Sequence, residues 1–288
     1  MQKAAITGRA VQPGRPLARA YQMPAKPSTP QPISSAARKV ASDLAIGLIL
    51  ASMLGTAGLG TAGQTPDEPP ANLAKLVAHR ETETQAERDE YTYRQTVTIQ
   101  ELDDHGSVRG EYKEVRDVIF SPAHERTEQM VGKPKDGLKS LKLTEEDFHD
   151  IREIQPLVLT DGELWNYETK FRGDEPMDGQ DCWVLQVRPR QILEGQRFFD
   201  GTIWVDKKDY NIVRMQGQAV PQMRSLKQEN LFPHFTTVRK AVDGKHWFAT
   251  VTYADDTLEF RSGPLRERLT IAYSDYKRFS ATSTFIPK

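Results

Sequence analysis

The sequence has a single cysteine, Cys182, in 288 residues. An internal disulfide is therefore impossible, and so is a zinc site built on several thiolates. Histidine is sparse as well. His79, His105, His124, His149, His234 and His246 stand far apart, with no pair at metal-ligand spacing. No Gly-x-Ser-x-Gly elbow, Walker loop or dinucleotide fingerprint occurs. The body also lacks excess positive charge. From residue 64 onward 32 basic side chains face 39 acidic ones, which excludes bulk electrostatic binding to nucleic acid.

Carboxylate pairs do occur, but Asp103-Asp104 and Asp255-Asp256 fall in turns or at strand ends. Nothing in the pattern holds two carboxylates across a cleft, as glycosidase chemistry requires. His149 and Asp150, with Glu145 and Glu146, form the one cluster with cation-binding chemistry. A solvated helix face accounts for it more simply. Cys182 lies beside Trp183 in an apolar stretch with no histidine near it in sequence, which is the setting of a small buried hydrophobe. The expectation is a non-enzyme with no cofactor and no metal.

Acidic residues are missing from residues 1–42, which carry seven basic ones amid Pro, Ala and Ser. Residues 44–59 are then sixteen apolar, small or hydroxyl side chains, followed by Gly60-Thr61-Ala62. Basic, apolar, small is the order of a secretory signal, with cleavage after about Ala62. A retained inner-membrane anchor would need about twenty apolar residues. An organellar transit peptide or a buried core helix would also fit parts of the pattern. No cysteine follows the run, so a lipid-modified N-terminus is chemically excluded. The expected organisation is a leader and signal over 1–63, a Pro-rich linker over 64–72 and one domain over 73–288. The mature protein would lie in the periplasm without a stable membrane anchor.

Within that domain Leu73, Leu76 and Val77 recur at helical spacing, with Asn72 placed to cap. Residues 80–90 are polar all round, so a helix there would bury only its first turns and fray later. After Glu90 the period becomes two. Tyr91, Tyr93, Val97 and Ile99 alternate with polar residues, the turn signal Asp103-Asp-His-Gly106 follows, and residues 107–120 restart as a hairpin partner. A third strand is expected over 125–131. Thr144-Glu-Glu-Asp147 reads as a capping box, with Phe148, Ile151 and Ile154 as the apolar stripe of a short helix that Gln155-Pro156 stops. Turn-punctuated strands continue over 164–171, 183–187, 201–205, 212–216, 247–253 and 269–273. About ten strands with two helical interruptions predict an α+β fold: one curved antiparallel sheet with helices on one side.

Alternation assigns an apolar face to Tyr93, Val97 and Ile99, to Trp183, Leu185 and Val187, and to Trp247, Val251 and Tyr253. Covered by helices, this face is a plain core. If the helices cannot fill it, the same nine residues line a lipid-sized cavity.

Two segments carry a resemblance. Residues 171–189 contain Met177-Asp-Gly-Gln-Asp-Cys-Trp-Val-Leu185, and residues 201–214 read Gly-Thr-Ile-Trp-Val-Asp-Lys-Lys-Asp-Tyr-Asn-Ile-Val-Arg. After the opening Tyr91-Thr-Tyr-Arg-Gln-Thr-Val97, this order resembles the exported members of the outer-membrane lipoprotein-sorting family, of LolA/LolB-like fold. The likeness spans about residues 73–280 and is most specific over 165–216. It implies an unclosed half-barrel whose concave side is covered by helices. It also implies non-catalytic binding of lipid or acylated protein in the periplasm. An envelope-stress sensor or protein-interaction module on the same fold, with an envelope protein as partner, is the second reading. An unrecognised envelope hydrolase is the third.

Overall fold

The computed structural model describes residues 68–279, apart from 122, 155–158, 194 and 225–228. The leader, the signal segment, most of the linker and the stop at Gln155-Pro156 lie outside the described residues. The elements are α1 (Leu73–Arg88), β1 (Tyr91–Leu102), β2 (Val108–Phe120), β3 (Arg126–Met130), β4 (Lys135–Asp136) and α2 (Glu145–His149), which continues as a π turn (Asp150–Ile154). A 3-10 turn (Leu164–Asn166) then leads into β5 (Tyr167–Met177), β6 (Gln180–Pro189), β7 (Phe198–Asp206) and β8 (Ile212–Val220). The short β9 (Met223–Arg224) and β10 (Glu229–Asn230) precede β11 (Phe235–Val242), β12 (His246–Phe260) and β13 (Gly263–Arg278).

Eleven strands form one antiparallel sheet in the order β3-β2-β1-β13-β12-β11-β8-β7-β6-β5, with β4 continuing beside β2. The order does not close on itself, which makes the sheet a half-barrel with edges at β3 and β5. The strand next to the first one is the last, so the two chain ends of the domain meet in the middle of the sheet. The helices pack on the concave side: Leu73 and Val77 of α1, and Ile151 and Ile154 after α2, join the same buried cluster as the strands.

Local chemistry explains the hairpins. Gly106 adopts φ 80° in the β1–β2 turn and donates its amide to Asp103. The β5–β6 turn places Asp178 and Gly179 at positive φ. The capping box at Thr144 forms: its hydroxyl accepts from the Asp147 amide, and the Asp147 carboxylate accepts from the Thr144 amide. Gly201 and Gly217 face each other across β7 and β8. A Cβ on Gly217 would stand 2.3 Å from the Asp200 carbonyl and 2.7 Å from the Phe199 ring, so only glycine lets that ring lie over the strand pair.

Three expectations need correction. Asn72 stands at the N-cap of α1 but makes no side-chain cap bond. The polar half of α1 does not fray: the helix runs to Arg88 with Glu81 and Thr84 buried. Glu81 is held there by two hydrogen bonds from Arg239 of β11, at 2.7 and 3.0 Å, with both side chains buried. The face of β12 is the third. Its interior residues are Thr252, Ala254 and Leu258, whereas Tyr253 is 44% exposed and Val251 half-buried. A bulge lies beside it: β11 pairs Val238 with Val251 but Arg239 with Ala249, leaving Thr250 as an extra residue.

Candidate functional site

An opening lies at the seam between the C-terminal half of α1 and the strands β1, β12 and β13. Thr84 and Arg88 form its helix wall, while Tyr93, Trp247, Tyr273 and Tyr276 supply most of the sheet wall. Its cavity volume is about 20 Å3, room for about one water, within a cleft of about 350 Å3 that includes the open mouth. The aromatic rings are mutually packed. Tyr93 and Tyr276 have centroids 5.1 Å apart, Tyr93 and Tyr273 6.2 Å, and Phe248 and Tyr276 5.3 Å. The Tyr276 hydroxyl donates to the Ala249 carbonyl at 2.7 Å. Burial pushes the Tyr273 and Tyr276 phenols above their ordinary range, so both stay protonated at neutral pH.

Charge around the cleft is arranged in pairs. Arg239 is engaged by Glu81. Glu87 meets Arg80 at 3.0 Å and His246 at 2.8 Å. Burial favours the neutral Glu87 carboxyl, but the hydrogen bonds and charges of His246 and Arg80 outweigh it and hold its pKa below the usual range. Arg88 is the loosely held member. Its nearest carboxylate, Asp89, is 3.6 Å away, and its Nε is buried without a hydrogen-bond partner. The guanidinium lies 5.6 Å over the Phe120 ring.

The nine residues expected on the apolar face divide among several places. Tyr93, Val97, Ile99, Trp183, Leu185 and Val187 are all buried in the main core cluster. Of these, Tyr93 lines the α1 cleft and Ile99 a second, acid-rich cleft beneath α2. Leu185 and Val187 line neither. Trp247 is half-buried and reaches both the α1 cleft and a small cluster formed by Cys182, Trp204 and Val213. Val251 and Tyr253 point away from the core. Thr84, Arg88, Arg239, Phe248, Tyr273 and Tyr276 were not singled out by the sequence. Arginine and threonine on a polar helix carry no signal of their own, and only the fold brings them against the tyrosines.

The remaining candidates for chemistry have structural roles. Asp150 is buried and paired with Arg197 at 2.7 Å, and Arg197 lies 3.8 Å over the Phe232 ring. Burial raises the Asp150 carboxyl nonetheless. Cys182 is fully buried, and burial with the nearby Asp206 charge pushes its thiol up to about 12, far from a nucleophile. Among the described residues no group of three or more His, Cys, Asp or Glu side chains could hold a metal ion. No described helix is long and apolar enough to cross a membrane.

No family model and no curated protein matches the sequence. Solved structures do match. An outer membrane lipoprotein-sorting protein domain from Vibrio parahaemolyticus is 14% identical with a TM-score of 0.32, covering 71% of this chain and 92% of its own. A DUF1329 family protein from Desulfovibrio piger is 16% identical with a TM-score of 0.36, covering 75% and 96%. A LolA superfamily protein from Nitrosomonas europaea is 14% identical with a TM-score of 0.30, covering 69% and 94%. The family that residues 165–216 resemble is thus among those these structures name. At such identities and TM-scores the likeness says nothing of ligand or activity.

Proposed function

We propose that this is an exported, non-catalytic binding protein of the cell envelope that takes an acyl chain of a lipid or lipoprotein into the cleft between α1 and the concave face. The observation that carries the reading is the wall of that cleft. Five aromatic side chains stand at a seam where the C-terminal half of α1 meets the sheet through a buried ion pair. A seam held by ion pairs can part and re-form without exposing a large apolar area to water. Among the described residues the inward apolar side chains pack into one buried cluster, so the chain enters by moving α1. Mass spectrometry of lipid extracted from natively purified protein tests the reading, together with titration of a fluorescent fatty-acyl probe against tryptophan emission. Absence of both bound lipid and probe binding would overturn it.

A second reading, a protein-interaction module, is favoured by a different feature. Trp165 is 65% exposed and Ile192 50%, at the end of the sheet where Arg190 donates its amide to Asn166. Phe171, on the edge strand β5, is 38% exposed. Edge strands recruit partner chains by strand addition. Site-specific crosslinking from position 165 in the envelope separates the two: a discrete protein adduct supports the module.

A further inference from the structure

Within the acyl-binding reading, on which it rests, we propose that the α1 cleft selects a free carboxylate: Arg88 and Thr84 hold the ionised head of a fatty acid while its chain lies against the tyrosines. Thr84 and Arg88 are one helical turn apart and both line the cleft. The Thr84 hydroxyl is buried, in a residue 3% exposed, and has no hydrogen-bond partner. The Arg88 Nε is likewise buried and unpartnered. Two unsatisfied groups on residues that line one opening are costly in an empty protein, and once α1 moves they are the donors that a bound carboxylate oxygen would satisfy.

The neighbouring charges leave Arg88 to play this part. Arg239 is committed to Glu81, and Glu87 to Arg80 and His246. Asp89 is the competitor, but it stands 3.6 Å from Arg88 and is shared at 3.6 Å with His124. Burial raises its carboxyl, while the charge and hydrogen bond of Arg88 and the charge of His124 lower it. The C-terminal end of α1 is the negative end of the helix dipole, so the backbone does not assist an anion here. Recognition depends on the side chains, and one guanidinium decides the selectivity. An esterified chain offers no charge for it. A single-chain carboxylate is therefore the ligand class that fits.

The experiment is a displacement titration of a neutral fluorescent acyl probe by dodecanoate and by dodecanol, its uncharged analogue. A charge-assisted hydrogen bond is worth roughly 1.5–3 kcal/mol, so wild type should prefer dodecanoate at least about tenfold. Arg88→Met should bring the ratio close to one, and Arg88→Lys should keep part of the preference. Thr84→Val, a near-isosteric change, should reduce the preference less and serves as the readout if Arg88→Met does not fold. A ratio near one in wild type, or an undiminished preference in Arg88→Met, overturns the carboxylate assignment while leaving acyl binding standing. Failure of the probe itself to bind wild type overturns both.

Discussion

The helix-facing surface of this sheet has two unlike halves. Across β6 to β8 the buried residues are Trp183, Leu185, Val187, Phe199, Ile203, Val205 and Met215, an apolar core. Across β1, β2 and β13 the same alternation buries Gln95, Glu101, Glu114 and Glu267 among the tyrosines and aliphatics. Glu101 and Glu114 are held by specific bonds. Glu101 accepts the amides of Lys139 at 2.8 Å and Ser140 at 2.7 Å, and that of Leu141. Glu114 accepts from Tyr112 at 2.7 Å and from Arg116 at 2.8 Å. An apolar half tolerates exchange of one aliphatic for another, because burial is non-directional. A polar half does not, because each partner is defined by direction and distance. The cleft beside α1 takes Tyr93, Tyr273 and Tyr276 of its wall from the polar side.

The comparison is broken most sharply at Glu81 and Arg239. Removing either one alone, Glu81→Ala or Arg239→Ala, should cost about 3–5 kcal/mol in denaturant unfolding, since the survivor is a buried unpaired charge. Replacing both by apolar residues of similar size should recover most of that loss. If each single change costs less than about 1 kcal/mol, the polar half is as replaceable as the apolar one. Leu185→Ala probes the other side and should cost roughly 2–5 kcal/mol through lost transfer energy and a cavity. A much smaller loss, with acyl binding altered instead, would mean that the apolar half already holds space for ligand.

Asp256 tests how a lone buried carboxylate behaves where the two halves meet along β12. Burial pushes it up to about 6, against the single amide of His234 that favours ionisation. With a folded pKa above the unfolded one, the folded state binds the extra proton. Its contribution to stability is complete below about pH 4 and is lost as pH rises through 6. The span is at most about 3 kcal/mol, from some two pKa units. Asp256→Asn keeps an acceptor for the amide, so its unfolding free energy should lose this pH dependence and exceed that of wild type at pH 8. An unchanged pH profile would refute the assignment. The smallest effect is expected at Cys182, on the outer face. Cys182→Ser should cost on the order of 1 kcal/mol, and the native thiol should resist a thiol reagent at pH 8 until the protein is unfolded.

Much of the sheet was legible because a half-buried strand writes its period into the sequence. Strands β1, β2, β3, β6, β7 and β8, their turns and the Thr144 capping box all follow from residues within a few positions of one another. Strand β11 escaped because its first five residues are all buried, so the contrast between faces vanishes. The polar half of α1 escaped because its anchor is an arginine 158 positions away. The bulge in β12 is one extra residue in a pairing with β11, which composition does not record.

The cleft shows the same division most clearly. By itself the sequence determined where strands and turns run, which side of β1 and β6 is apolar, and that Cys182 has no chemistry close at hand. Those properties depend on backbone periodicity and near neighbours. Only the tertiary structure decided that Thr84 and Arg88 face Tyr273 and Tyr276, which of the many charges are buried in pairs, and which guanidinium is left loosely held. A buried charge is stable only where a distant segment supplies its partner, and that partner is known only once the chain has folded.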